Sequence, residues 1–231
     1  MLELFPEGFE EREEDGEVEL AGYTERRDAA TLLRPLGQVG EIEIVAGWED
    51  AWKRFHRPVR IGPLWIGPSW EEPDPGATAI VVDPGRAFGT GAHATTQLCL
   101  ELLLAVAPAG LVDLGCGSGV LAVAAAKLGF APVVALDSDA AAVEAARANA
   151  VANGVEVEAR LADVLAEPLP AVEVAVANIA LGAAERAAER FGGRLLVASG
   201  YLEAERPEPR GWQRLERRVR DGWAADLLVR G

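Results

Sequence analysis

The chain has 231 residues, half of them hydrophobic, which is enough for one full α/β domain with a small appendage and too apolar for a disordered chain. Its formal net charge of −15 serves solubility, argues against tight unspecific contact with nucleic acid or anionic lipid, and would attract a basic protein partner. Two cysteines and two histidines are too few for a disulfide framework or a metal cluster, and no apolar run approaches the ~20 residues of a membrane span, so a metal-free cytoplasmic protein with two free thiols is expected.

Residues 1–47 are acidic and broken by glycines. Short alternating patterns at 17–23 and 39–45 predict strands, with a helix over 25–33 between them, which together make a small α+β domain over 1–46. Residues 47–77 read as a linker. Within it Trp48, Trp52, Trp65 and Trp70 are interleaved with Lys53, Arg54, Arg57 and Arg60. In a basic chain that mixture would suggest a nucleic-acid patch, but Trp48, Trp52 and Phe55 recur at helical spacing, and packing is the preferred reading. EEPDPGA at 71–77 is a turn, and the main domain, 78–231, opens with a short strand at 79–82.

The stretch DPGRAFGTGAHATT, 83–96, leads into an apolar helix over 95–106. Thr95 or Thr96 can cap that helix, which leaves Phe88 to Gly91 without a purely structural explanation. Next, LVDL at 111–114 predicts a buried strand, followed by Gly115, Gly117 and Gly119 and an Ala/Val/Leu helix. A second apolar run, 132–136, ends on Asp137. The unit is βαβ, with an acid about twenty residues past the glycines, where doubly wound folds hold a ribose. Glycines in the turn let a ligand approach the backbone closely. A dinucleotide fold shares this outline, but its fingerprint is GxGxxG, whereas this chain has GxGxG preceded by Asp113.

Residues 139–154 form an alanine-rich helix with Glu144 and Arg147 spaced for a surface pair, ended by Asn153 and Gly154. A strand over 155–161 follows, and Asp163 stands just past its end, either near a ligand or capping the next turn. The buried strand at 172–177 ends on Asn178. That amide sits on the side of the sheet where α/β folds bind ligands, and it can also cap a helix over 183–191. Strands at 194–199, 212–218 and 224–229 complete the sheet around a proline-bearing loop at 203–210.

DLGCGSG followed by an acid at the next strand end resembles the class I methyltransferases that bind S-adenosylmethionine. PGRAFGTGAHATT is similar to the PGxAFGTGxHxTT signature of the bacterial PrmA family, the lysine methyltransferases that modify ribosomal protein eleven of the large subunit. The likeness continues through DLGCGSGVLAVAAAKLG, ALDSD, ARANAVANG and VANI, and covers most of 48–199. It implies a Rossmann-like seven-stranded α/β sheet, S-adenosyl-L-methionine as cofactor, and N-methylation of a basic protein substrate, a ribosomal protein, without direct nucleic-acid or membrane contact.

Residue by residue, the resemblance implies Asp113, Gly115, Gly117 and Gly119 at the methionyl end of the cofactor and Asp137 on its ribose hydroxyls. It implies Asp163 at the adenine edge and Phe88 and Thr96 closing over the methionyl group. Asn178 belongs to the cofactor site and, as the catalytic residue, orients the amine. His93 either accepts a proton or bonds within its own loop. The family's amino-terminal substrate-recognition domain begins before the matched region, so the domain at 1–46 is expected to be truncated. IALGAAERAAERF, after Asn178, lacks the aromatic residue the family often has there. Two other classes share these features: a small-molecule methyltransferase on the same fold, and a non-catalytic domain that binds a partner through the tryptophan-rich segment.

Overall fold

The structure, a computed structural model, describes residues 57–83 and 91–231 in full and residues 9–14 and 17–22 as backbone. The chain divides into two compact units, Met1–Ala51 and Trp52–Gly231. In the first, β1 (Phe9–Glu14) and β2 (Glu17–Gly22) pair antiparallel, with Phe9 opposite Gly22 and Glu14 opposite Glu17. β2 falls within the expected strand, whereas β1 is not legible because FEEREE carries no apolar alternation. The helix expected over 25–33, the strand expected over 39–45, and Trp48 and Trp52 lie outside the described residues.

The second unit opens with β3 (Val59–Ile61), β4 (Leu64–Gly67) and β5 (Thr78–Val81), in which β3 and β4 are antiparallel and β4 and β5 parallel. Two of these strands lie inside the segment expected to be a linker. Its prolines and glycines suggest a loop, but Leu64, Ile66 and Ile80 are buried in the main core and make a small sheet profitable there. Trp65 is buried too, in keeping with a packing role.

The main sheet is built from α1 (Ala94–Leu103), β6 (Leu111–Leu114), α2 (Val120–Lys127), β7 (Val133–Asp137), α3 (Ala140–Ala152), β8 (Glu158–Leu161), β9 (Val174–Asn178), α4 (Leu181–Arg190), β10 (Leu195–Leu202), β11 (Trp212–Arg220) and β12 (Trp223–Arg230). Its seven strands run in the order β11-β12-β10-β9-β6-β7-β8, with β6 to β10 parallel and β12 against its neighbours. The central strands are almost wholly apolar because helices cover both faces. Leu111 packs with Leu98, Leu121 and Val143 on one face, while Val112 and Leu114 meet Ala184, Ala187 and Phe191 of α4 on the other.

Strand order reverses between β6 and β9. The chain leaves β6 toward β7 and β8 on one side and reaches β9 and β10 on the other, which opens a crevice at the carboxyl ends of these strands, where open α/β sheets bind ligands. α3 also anchors the small sheet. Asn153, its C-cap, accepts the Val81 amide at 2.8 Å and donates to the Val81 carbonyl at 2.7 Å. The surface pair expected between Glu144 and Arg147 gives way to another contact: Arg147 reaches the edge of β8 and donates twice to the Ala159 carbonyl, at 2.6 and 3.1 Å.

Candidate active site

The site begins at the end of β6. The Gly115 and Cys116 amides both donate to the Leu136 carbonyl, at 2.8 and 3.0 Å, which ties the glycine turn to the end of β7. Asp137, the last residue of β7, completes the tie. One carboxyl oxygen accepts the Gly117 amide at 2.9 Å and the other accepts the Asp139 amide at 3.0 Å. Each carboxylate oxygen has about two lone-pair sites, so each keeps one for a ligand. Gly115 has φ +79 and its missing Cβ would lie 2.5 Å from Cγ2 of Ile179, so no other residue fits without displacing that side chain.

Two residues of this turn face away from the cleft. Gly119 does not face the crevice: a Cβ there would lie 2.7 Å from Cβ and 2.9 Å from Cα of Ala146, so this glycine lets α2 pack on α3. Asp113 does not line the crevice either. Alternation along β6 turns it toward the α1–α2 side of the sheet, where it is 1% exposed and neither carboxyl oxygen makes a hydrogen bond of normal geometry.

Burial pushes the Asp113 carboxyl up from 3.8 to about 7, the Asp137 charge adds to this, and the Ala122 backbone in the first turn of α2 opposes it. The folded state therefore holds a proton between about pH 4 and pH 7 that the unfolded chain has released, and its stability falls as pH rises through that window. Urea unfolding from pH 4 to 8 is expected to show this decline in the wild type, and Asp113→Asn should remove on the order of 4 kcal/mol of it. Parallel profiles for the two proteins would discard Asp113 as the source.

The opposite wall comes from β9 and α1. Asn178 ends β9, and its Nδ2 donates to the Thr96 hydroxyl at a long 3.4 Å. Both line a cleft of about 360 Å³ that also takes in Gly115, Gly117, Asp137 and Asp163. Asp163 does two things at once: it lines the cleft, and its Oδ1 accepts the Leu165 amide at 2.8 Å, capping the next turn. His93 bonds locally, as the N-cap of α1 with Nδ1 2.8 Å from the Thr95 hydroxyl. Phe88 lies outside the described residues.

Ile179, Ala162, Leu165, Ser138 and Cys116 also line the cleft and are not singled out by sequence reasoning. Cys116 in DLGCGSG, Ser138 in ALDSD and Ile179 in VANI carry a signal through those motifs, whereas Ala162 and Leu165 carry none. The Cys116 thiol is unsuited to nucleophilic work, because burial pushes it up and the Asp113 and Asp137 charges push it further.

This lining suits a nucleoside with a non-anionic tail. Apolar Leu165 and Ala162 can flank a base, Asp137 has acceptors left for a ribose diol, and the bare backbone at Gly115 admits a chain running past it. A pyrophosphate fits poorly, because the amino terminus of α2 already faces the carboxyl groups of Asp113 and Asp137.

A protein-family model described as "Ribosomal protein L11 methyltransferase (PrmA)" matches residues 19–204. Among curated proteins, the ribosomal protein L11 methyltransferase of Shewanella pealeana is 46% identical over 173 residues, covering 70% of this chain and 58% of its own. That of Symbiobacterium thermophilum is 44% identical over 200 residues, covering 79% of this chain and 66% of its own. The matched region thus spans roughly three fifths of the length of these relatives. The crystal structure of the ribosomal protein L11 methylase from Lactobacillus delbrueckii subsp. bulgaricus superposes with a TM-score of 0.68 at 29% identity, covering 76% of this chain and 99% of that one.

Proposed function

The chain belongs to the ribosomal protein L11 methyltransferase (PrmA) family, and from that premise we propose that it transfers methyl groups from S-adenosyl-L-methionine to lysine or other amino groups of ribosomal protein L11. The observation that carries this reading is the meeting in one cleft of Asn178 with the Gly115–Asp137 cradle across the point where strand order reverses. When bound, the cofactor supplies an activated methyl group on a sulfonium, so the protein's task is alignment and exclusion of water rather than acid–base catalysis.

Asp137 and Gly117 hold the ribose end, and Asp163 and Leu165 flank the base. Thr96 fixes the amide of Asn178 through its hydroxyl, which leaves the oxygens of Asn178 to accept from the incoming amine and point its lone pair down the cleft. A lysine amine has an ordinary pKa of about 10.4 and must shed its proton first; desolvation of the amine as it enters the cleft beside Asn178 favours the neutral form. Phe88 we assign to closing over the methionyl group. We assign substrate recognition to the amino-terminal unit, in line with a domain of that role at 1–46, and the catalytic step to 78–231. The overall negative charge favours a basic protein partner over nucleic acid. No helix among the described residues is long and apolar enough to cross a membrane.

Incubating the protein with methyl-labelled S-adenosylmethionine, purified L11 and a ribosome-free small-molecule extract tests the reading. Label on L11 at lysine or at the amino terminus is expected. Label only on small molecules, or no transfer despite cofactor binding, would replace it with one of the two other classes.

A further inference from the structure

We propose that the tip of the β11–β12 hairpin is a latch on the amino-terminal end of α1, with Arg220 and Trp223 as positioning residues for the cleft. This rests on the methyltransferase reading above. The hairpin turns through Asp221 and Gly222, at φ +50 and +76, the left-handed pair of a tight two-residue turn. Arg220 and Trp223 flank that turn as direct cross-strand partners.

Both engage α1. Arg220 Nη1 donates to Oε1 of Gln97 at 2.6 Å and Nη2 to Oε1 of Glu101 at 2.7 Å. Gln97 passes the contact on, its Nε2 donating to the Ala92 carbonyl at 2.7 Å, in the loop that precedes the helix. Trp223 meets the His93 ring edge to face, with centroids 5.0 Å apart. One hairpin tip therefore grips the helix before and after its first turn.

That turn needs the support. Its cap is an imidazole nitrogen accepting the Thr95 amide at 3.4 Å, a long bond, and it contains no acidic residue to favour the helix dipole. Yet it carries Thr96, whose hydroxyl meets Asn178. Arg218 provides a control, because it also bonds Glu101, at 3.1 Å, but its partners do not include Gln97.

Three variants of the full chain separate a latch from a simple ion pair. Arg220→Met is expected to raise hydrogen exchange of the amides at 92–97 about tenfold in the free protein and to weaken S-adenosylmethionine binding about tenfold. Arg218→Met should lower the melting temperature comparably and change neither readout. Gln97→Glu keeps an acceptor for Arg220 but loses the donor to Ala92, so it should reproduce the effect of Arg220→Met with little loss of melting temperature. Unchanged exchange at 92–97 in Arg220→Met, or equal effects from Arg218→Met, would overturn the latch while leaving the cofactor reading intact. A wild type that shows the exchange pattern but binds no S-adenosylmethionine would remove the functional reading, and with it the link from latch to cleft.

Discussion

Asp137→Ala is expected to weaken S-adenosylmethionine binding by about a hundredfold or more, measured by calorimetric titration. The carboxyl group has two duties. It offers its remaining lone pairs to a ribose diol, and it accepts the Gly117 and Asp139 amides, which hold the glycine turn beside the start of α3. Hydrogen bonds to a charged group contribute about 1.5–3 kcal/mol each, and 1.4 kcal/mol is a factor of ten, so the loss of even two such bonds reaches that size. Asp137→Asn should fall between, because the amide oxygen can still accept while its nitrogen cannot. If Asp137→Ala binds as tightly as the wild type, the ribose is held elsewhere.

Gly200→Ala is expected to be strongly destabilising. β10 shifts register between Ser199 and Tyr201, and Gly200 sits in that irregularity at φ +98. A Cβ there would lie 2.4 Å from the oxygen and 2.8 Å from the nitrogen of Ile179, which are backbone atoms that cannot rotate away. Because Ile179 follows Asn178 and its side chain already rests against Gly115, the added methyl moves the end of β9 at the place where amine and cofactor should meet. Overpacking of 1–3 kcal/mol and a left-handed penalty of 1–2 kcal/mol sum to about 3 kcal/mol of stability, with methyl transfer falling further than cofactor affinity. Gly154→Ala is the comparison. It has φ +62 and nothing within 4 Å of a new Cβ, so only the backbone penalty should appear. Equal losses in the two variants would mean that contact with Ile179 is unimportant.

The features legible in the sequence are those that chemistry places at strand ends. Asp137 and Asn178 stand out because a polar residue closing an apolar run has few reasons to be there, Asp163 because it stands just past a strand end, and Thr96 because it opens a helix after a glycine-rich loop. What a glycine or an acid is for proved harder to read. Gly119 serves the contact of α2 with α3, through Ala146, 27 residues further along the chain, and no local pattern announces that neighbour. Asp113 belongs to a strand covered on both faces, so its run has no wet side from which to judge where the carboxyl turns. β4 hid among prolines and glycines because its burial comes from helices that follow it in sequence. The hairpin tip was equally opaque: the strands could be expected, but the partners of Arg220 on α1 lie about 120 residues earlier.

The most direct test is calorimetric titration of the full chain with S-adenosylmethionine and, separately, with a nicotinamide dinucleotide. Saturable binding of the first at one site per chain, lost in Asp137→Ala, with no heat from the second, is the expected result. Binding of the dinucleotide in its place, or no binding of S-adenosylmethionine at millimolar concentration, would contradict the claim that the crevice between β6 and β9 is built for that cofactor.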